Sequence, residues 1–346
     1  MTNRTLLKYH SYLGIIAGIF LFSLGITGSF LVFSEDIDVL LFDKYATTST
    51  TSELQLDKAI SEVQRNYPDW NARIIQLERG KTIQFDLRKL DAKQYVFANP
   101  VSGKITAVID ANSPLTKWLL KFHYSLHTGI IGEILIFIAG IAFFLSLITG
   151  IIVYRKVILK TLLFQKKLNK SSKQRYYSTL HRYVGVWALL LNLLLVLTGI
   201  VLSFNIVSSG LKKPEIRSIP VVKISIEKVL ENTKKAYPDF ETTYIRLPSS
   251  EDGKLILNGS FTGDSFYLSK YYNKISVAYK IGEVVGVTKI ADSGFLNKLL
   301  SGILPIHSGH YGNWFIKIIY CLVGLSGPFL SITGYFIFLK RKKLLK

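Results

Sequence analysis

The sequence predicts an α-helical membrane protein with four transmembrane helices, built as a helix–module–helix unit that occurs twice. Each module is a small α+β domain outside the membrane. Three observations carry this prediction: four long uncharged apolar windows, basic residues gathered into a few short segments, and sequence echoes between the two halves. The 346 residues carry a formal net charge of +20, yet 49% of them are apolar and the mean hydropathy is +0.30. Charge and apolar character coexist at those levels when they occupy different segments, which excludes a basic soluble protein or a disordered tail. The lone cysteine, Cys321, excludes a disulfide framework, a thiolate cluster and haem attachment through Cys-x-x-Cys-His.

Tyr9 to Ser34, Ile134 to Tyr154, Tyr183 to Leu211 and Ile318 to Leu339 contain no Asp, Glu, Lys or Arg. Each reaches the length of about 20 residues that a helix needs to cross a bilayer. The first follows Arg4 and Lys8 as a signal peptide would, but it is too long and ends in Phe-Ser-Glu without a small-residue cleavage site, so it reads as a retained anchor. The expected order is a first membrane helix within 1–34, an outward module over 35–117 and a second helix within 118–156. A basic loop over 157–178, a third helix within 179–208, a second module over 209–300, a fourth helix within 301–340 and a tail over 341–346 follow.

Residues 1–8, 155–182 and 340–346 together hold sixteen basic residues and no acid, whereas 35–122 is balanced at twelve basic and twelve acidic residues. The positive-inside rule places both termini and the middle loop in the cytoplasm and the two long segments outside. The run Lys166-Lys167 with Lys170, Lys173 and Arg175 is then a topology signal in contact with anionic headgroups of the lipid bilayer, and no nucleic-acid partner is expected.

The halves echo one another. His10-Ser-Tyr-Leu-Gly-Ile returns as His181-Arg-Tyr-Val-Gly-Val, and Thr27-Gly28 as Thr198-Gly199, at an offset of 171. Tyr67-Pro-Asp-Trp returns as Tyr237-Pro-Asp-Phe at an offset of 170, and His123 with Thr149-Gly150 as His307 with Thr333-Gly334 at 184. In each module a helix (Leu56 to Asn66; Ile226 to Ala236) is ended by Tyr-Pro-Asp. Strand-like alternation follows in Thr82 to Leu87, Gln94 to Phe97, Lys254 to Leu257 and Ser265 to Leu268, and the turn Asn99 to Gly103 leads into a last strand.

All six histidines lie at or near the ends of the membrane helices: His10 and His181 on the cytoplasmic side, His123, His127, His307 and His310 on the outer side. Imidazoles favour the interface for its own sake, and neutral ones are common ligands for zinc, copper or iron. Repeat-equivalent positions favour matched pairs, one imidazole from each of two helices. Glu133 is the single acid near the helices, so two imidazoles per site suit bis-histidine haem better than four-coordinate zinc. The Thr-Gly pairs, seventeen residues beyond His10 and His181, offer either a glycine floor for a flat macrocycle or small-residue helix packing.

The pattern His-x-Tyr-x-Gly followed by Thr-Gly, the segment Phe122-His-Tyr-Ser-Leu-His-Thr-Gly with Gly132, and Ile306-His-Ser-Gly-His-Tyr-Gly resemble the PepSY-associated transmembrane family over nearly the whole chain. That family includes iron-regulated inner-membrane proteins and haem-containing ferrisiderophore reductases, and both modules resemble PepSY domains. The resemblance implies a bacterial inner-membrane oxidoreductase with two b-type haems. The expected ligand pairs are His10 with His181 and His123 with His307, and His127 and His310 are alternative outer ligands. Arg182 is expected beside a haem propionate, and no catalytic residue is expected beyond the haem ligands.

The expected activity is electron transfer from a cytoplasmic or membrane donor to a ferric siderophore outside, with Trp118, Tyr124, Tyr311 and Trp314 as candidate walls of the substrate cleft. A continuous helix from His127 to Tyr154 would span roughly 40 Å, a long single tunnelling distance. The rival reading is a non-enzymatic membrane module binding peptide, a protease or another envelope protein. No nucleotide-binding or hydrolase motif is present.

Overall fold

The computed structural model describes residues 2–46, 54–78, 80–90, 92–212, 218–269 and 271–343, with side chains to 340. The chain runs α1 (Asn3–Leu31), α2 (Ser34–Phe42), α3 (Leu56–Asn66), β1 (Asn71–Gln76), β2 (Ile83–Lys89), β3 (Ala92–Ala98), β4 (Ile105–Asp110), α4 (Leu115–Ser125) and α5 (Ile130–Tyr154). It continues α6 (Ile158–Leu162), α7 (Lys173–Trp187), α8 (Leu189–Gly210), α9 (Ile226–Ala236), β5 (Phe240–Arg246), β6 (Leu255–Phe261), β7 (Lys274–Ala278), β8 (Glu283–Thr288), α10 (Phe295–Ser308) and α11 (Trp314–Lys343). Of the expected tail, 341–343 continue α11 and 344–346 lie outside the described residues. Two compact units result: a helical one (1–35, 119–212, 303–346) and a sheet-bearing one (36–118, 213–302).

The helical unit holds four helices long and apolar enough to cross a membrane, within α1, α5, α8 and α11. The chain is a membrane protein. Small residues let α1 and α11 approach closely: Ser29 Oγ donates to the Cys321 carbonyl at 2.9 Å, and a Cβ at Gly18 would stand 3.5 Å from Ser331 Cβ. Between α8 and α11, buried Asn192 donates to Ser326 Oγ at 3.0 Å, so neither polar group is orphaned in the apolar interior.

The segments expected to hold the second and fourth membrane helices are each broken near their start. Leu126, His127 and Gly129 have φ of +51°, +58° and +62°, and a right-handed helix cannot run through left-handed residues. At the equivalent place α10 ends with Gly309 at φ +72°, whose N–H bonds the Pro305 carbonyl at 2.9 Å in the manner of a left-handed helix stop.

In the other unit, the stretches expected to form two separate modules contribute four strands each to one antiparallel sheet, ordered β4-β3-β2-β1-β5-β6-β7-β8. The join is the β1–β5 pairing, Arg73 opposite Arg246 and Ile74 opposite Ile245. Inward residues of both halves, from Leu56, Ile60, Phe85 and Leu87 to Ile226, Ile245, Leu257 and Ile275, form a single core. Splitting it would return those apolar surfaces to water, at roughly 1.5–3 kcal/mol for each large side chain.

Helices α3 and α9 cap each other. Asp57 Oδ1 accepts from the Ile226 amide at 2.7 Å at the start of α9, and Glu227 Oε1 accepts from the Asp57 amide at 3.1 Å at the start of α3, satisfying N-terminal amides that no helix can satisfy internally. One expected strand is absent. Ser265 to Leu268 form a turn, with the Leu268 amide bonded to the Ser265 carbonyl at 3.0 Å, because Ile275 and Val277 of β7 take the buried positions beside β6.

Candidate functional site: two facing imidazole pairs

His10, in the body of α1, faces His181 of α7 with ring centres 6.4 Å apart and planes at 82°. His123, two residues before the end of α4, faces His307 of α10 at the same 6.4 Å, with planes at 58°. The four histidines expected as ligands are thus brought together in the two expected pairs.

Each ring is anchored through Nδ1 by a different helix. His10 Nδ1 meets the Ser146 carbonyl of α5 at 2.9 Å, and His307 Nδ1 meets the Leu195 carbonyl of α8 at 3.1 Å. A carbonyl only accepts, so both rings carry their proton on Nδ1. His123 Nδ1 lies 2.9 Å from Thr27 Oγ1, and His181 Nδ1 lies 2.8 Å from Thr333 Oγ1. Those hydroxyls already donate to the carbonyls of Ser23 and Phe329, and again accept from Nδ1. The network assigns one tautomer four times, leaving Nε2 with its lone pair. Metal-ligating imidazoles show this arrangement, in which an outer hydrogen bond fixes the tautomer and the ring plane.

The Thr-Gly pairs belong to the same anchors. A Cβ at Gly28, Gly150, Gly199 or Gly334 would stand 3.2, 3.2, 3.1 or 3.4 Å from Cε1 of His123, His10, His307 or His181, respectively. These glycines make room for the imidazoles. Gly14 and Gly185 lie one helical turn beyond His10 and His181 on the same faces and share a cavity wall with Gly150 and Gly334. With His10, His181 and Arg182 they line an apolar cavity of about 230 Å³. Arg182 Nε is buried there without a hydrogen-bond partner.

His127 and His310 are engaged elsewhere. His127 lies in the left-handed break after α4 and packs on Phe122 with ring centres 6.0 Å apart. His310 Nε2 meets the Leu31 carbonyl at 3.2 Å and Ser34 Oγ at 3.3 Å, and its Nδ1 faces Glu35 Oε1 at 3.6 Å. Of the expected cleft aromatics, Tyr311 shares a hydrogen bond with Tyr320 at 3.0 Å, and Trp314 packs on Phe33 at 5.4 Å.

His10 and Thr27, which holds His123, lie on one continuous helix and are separated along it by roughly 26 Å.

Two imidazoles sharing one metal at bonds of about 2 Å have ring centres about 6 Å apart, which the 6.4 Å of both pairs matches. Among the described residues no group of three or more His, Cys, Asp or Glu side chains converges on a metal position. A metal that brings its remaining ligands with it, as in a porphyrin, needs only two imidazoles from the protein. The residues therefore fit haem. Ser146 and Leu195 are anchors that sequence reasoning missed, because a backbone carbonyl leaves no signal in residue type.

A family described as the PepSY-associated TM region matches residues 7–341. Comparison with curated proteins returned no match.

Proposed function

Since the chain belongs to the PepSY-associated TM family, we propose that it carries electrons across the bacterial inner membrane by means of two bis-histidine haem b sites and reduces a ferric chelate outside, a ferric siderophore being the substrate class. The single observation that carries this reading is the fourfold repetition of one arrangement: a histidine anchored at Nδ1 by a neighbouring helix and facing a second, likewise anchored histidine at 6.4 Å. When bound, haem supplies reversible one-electron exchange, with a potential set by its axial ligands and burial. His10 and His181 hold the site nearer the basic segments, which we take as the cytoplasmic side, and His123 and His307 hold the outer one. The glycines beside them admit the rings, and Arg182 offers its unpartnered Nε to an anionic group such as a propionate.

We also take the chain as two copies of one unit. In support, α3 and α9 exchange caps through Asp57 and Glu227, an offset of 170, and both halves run a helix followed by four antiparallel strands. Electrons enter from a cytoplasmic or membrane donor, as the chain has no nucleotide-binding motif of its own. Reduction takes one electron per Fe(III) and releases Fe(II) from a ligand that holds it less tightly.

Absorption spectra of the detergent-purified protein, oxidised and then reduced with dithionite, test the reading. The expected result is a sharp reduced α band corresponding to about two haems per chain, reoxidised anaerobically by ferric siderophore. A colourless, metal-free preparation overturns it and leaves the non-enzymatic binding module.

A further inference from the structure

We infer that the sheet face opposite α3 and α9 carries a binding site for a soluble polycarboxylate anion, centred on Arg73 and Arg246. The two arginines are direct cross-strand partners at the β1–β5 join, an arrangement in which like charges disfavour each other. Neither has a carboxylate partner among the described residues. Arg73 donates to Asn71 Oδ1 at 3.2 Å and to the Tyr244 hydroxyl at 3.4 Å, and Arg246 lies over the Tyr244 ring at 5.5 Å.

Asp86 stands opposite Arg73 on β2, but its Oδ2 accepts from Arg88 Nε at 2.9 Å and Nη2 at 2.6 Å. Asp86 is thereby engaged by Arg88, and neither Arg73 nor Arg246 has a carboxylate partner among the described residues. Arg246 is exposed and Arg73 half-buried, so the site is open on one side. Its floor is ordered, since Tyr271 packs edge-on against Tyr244 at 5.5 Å.

Planar guanidinium forks match carboxylates bidentately. Two forks side by side call for more than one carboxylate in a single ligand, since a monocarboxylate leaves the second charge unmatched. The inference deepens the proposed function by making the chelate anionic, and it rests on that reading only for the iron.

The test is equilibrium binding of ferric citrate to the full chain in detergent. We expect Arg246→Gln and Arg73→Gln each to weaken binding about tenfold or more, and the double substitution to abolish it. Neutral ferric acetohydroxamate should not distinguish the double variant from wild type. Absence of ferric citrate binding by wild type, equal binding by the double variant, or displacement of ferric citrate by phosphatidylglycerol, which would mark a lipid headgroup site, overturns the proposal. Haem-free protein that binds ferric citrate in this pattern refutes the redox reading alone; haem-loaded protein that fails to bind it refutes this site alone.

Discussion

The pairs His10–His181 and His123–His307 share one separation, 6.4 Å, but stand on different scaffolds. The first lies within the helices α1 and α7, each of which packs on α11, so its spacing follows from helix packing through that shared neighbour. The second sits near the ends of α4 and α10, just before backbone breaks, so its spacing follows from where two turns release the chain. Common to both are the Nδ1 anchor and the glycine beside each ring. The spacing is therefore held by the anchoring helices, and the elements that carry the histidines can differ.

The strongest way to break the comparison is to remove one ligand from each pair. His10→Ala and His307→Ala should each remove about half of the bound haem, counted by absorbance against protein. Loss of both haems from either variant, or of neither, refutes the pairing.

Next come the anchors. Thr27→Val and Thr333→Val remove the hydroxyl that meets a ring's Nδ1, and should lower haem affinity at the affected pair by about 10–100-fold, read by haem titration of apo-protein. His10 is held instead by the Ser146 carbonyl, so Thr149→Val should change affinity less than threefold; an effect as large as that of Thr333→Val would show that the two anchors of this pair are alike after all.

A smaller effect separates the scaffolds. Gly129 has φ +62° and ψ −140°, a conformation nearly confined to glycine, and a Cβ there meets nothing within 4 Å. Gly129→Ala should cost about 1–3 kcal/mol through the backbone alone, with haem occupancy falling at the second pair and unchanged at the first. Smallest is Asp57→Ala, which removes one of the acceptors at the start of α9, beside the Ser225 cap, at about 1 kcal/mol. Thermal unfolding should register it while the haem spectrum stays the same.

Much of this was legible from residue order. The uncharged windows marked the membrane helices, because a bilayer core tolerates few charges. The helices Leu56–Asn66 and Ile226–Ala236 were readable end to end, since Tyr-Pro-Asp stops each. The alternation in Ser265 to Leu268 misled, because a period of two reports a strand only where a partner strand is at hand, and β7 is that partner. Strands β1 and β5 carry mixed polar and apolar residues, and their pairing, which turns two expected modules into one sheet, joins residues about 170 positions apart.

The sequence by itself determined that this is a membrane protein with histidines at equivalent places in two halves, because hydropathy and residue identity are local properties. Only the tertiary structure decided that His123 rather than His127 faces His307, that the Thr-Gly pairs seat imidazoles, and that Nε2 is the free nitrogen. Those outcomes depend on distances of 3 to 6 Å between side chains far apart in the chain, set by helix packing and by left-handed breaks that residue type alone does not announce.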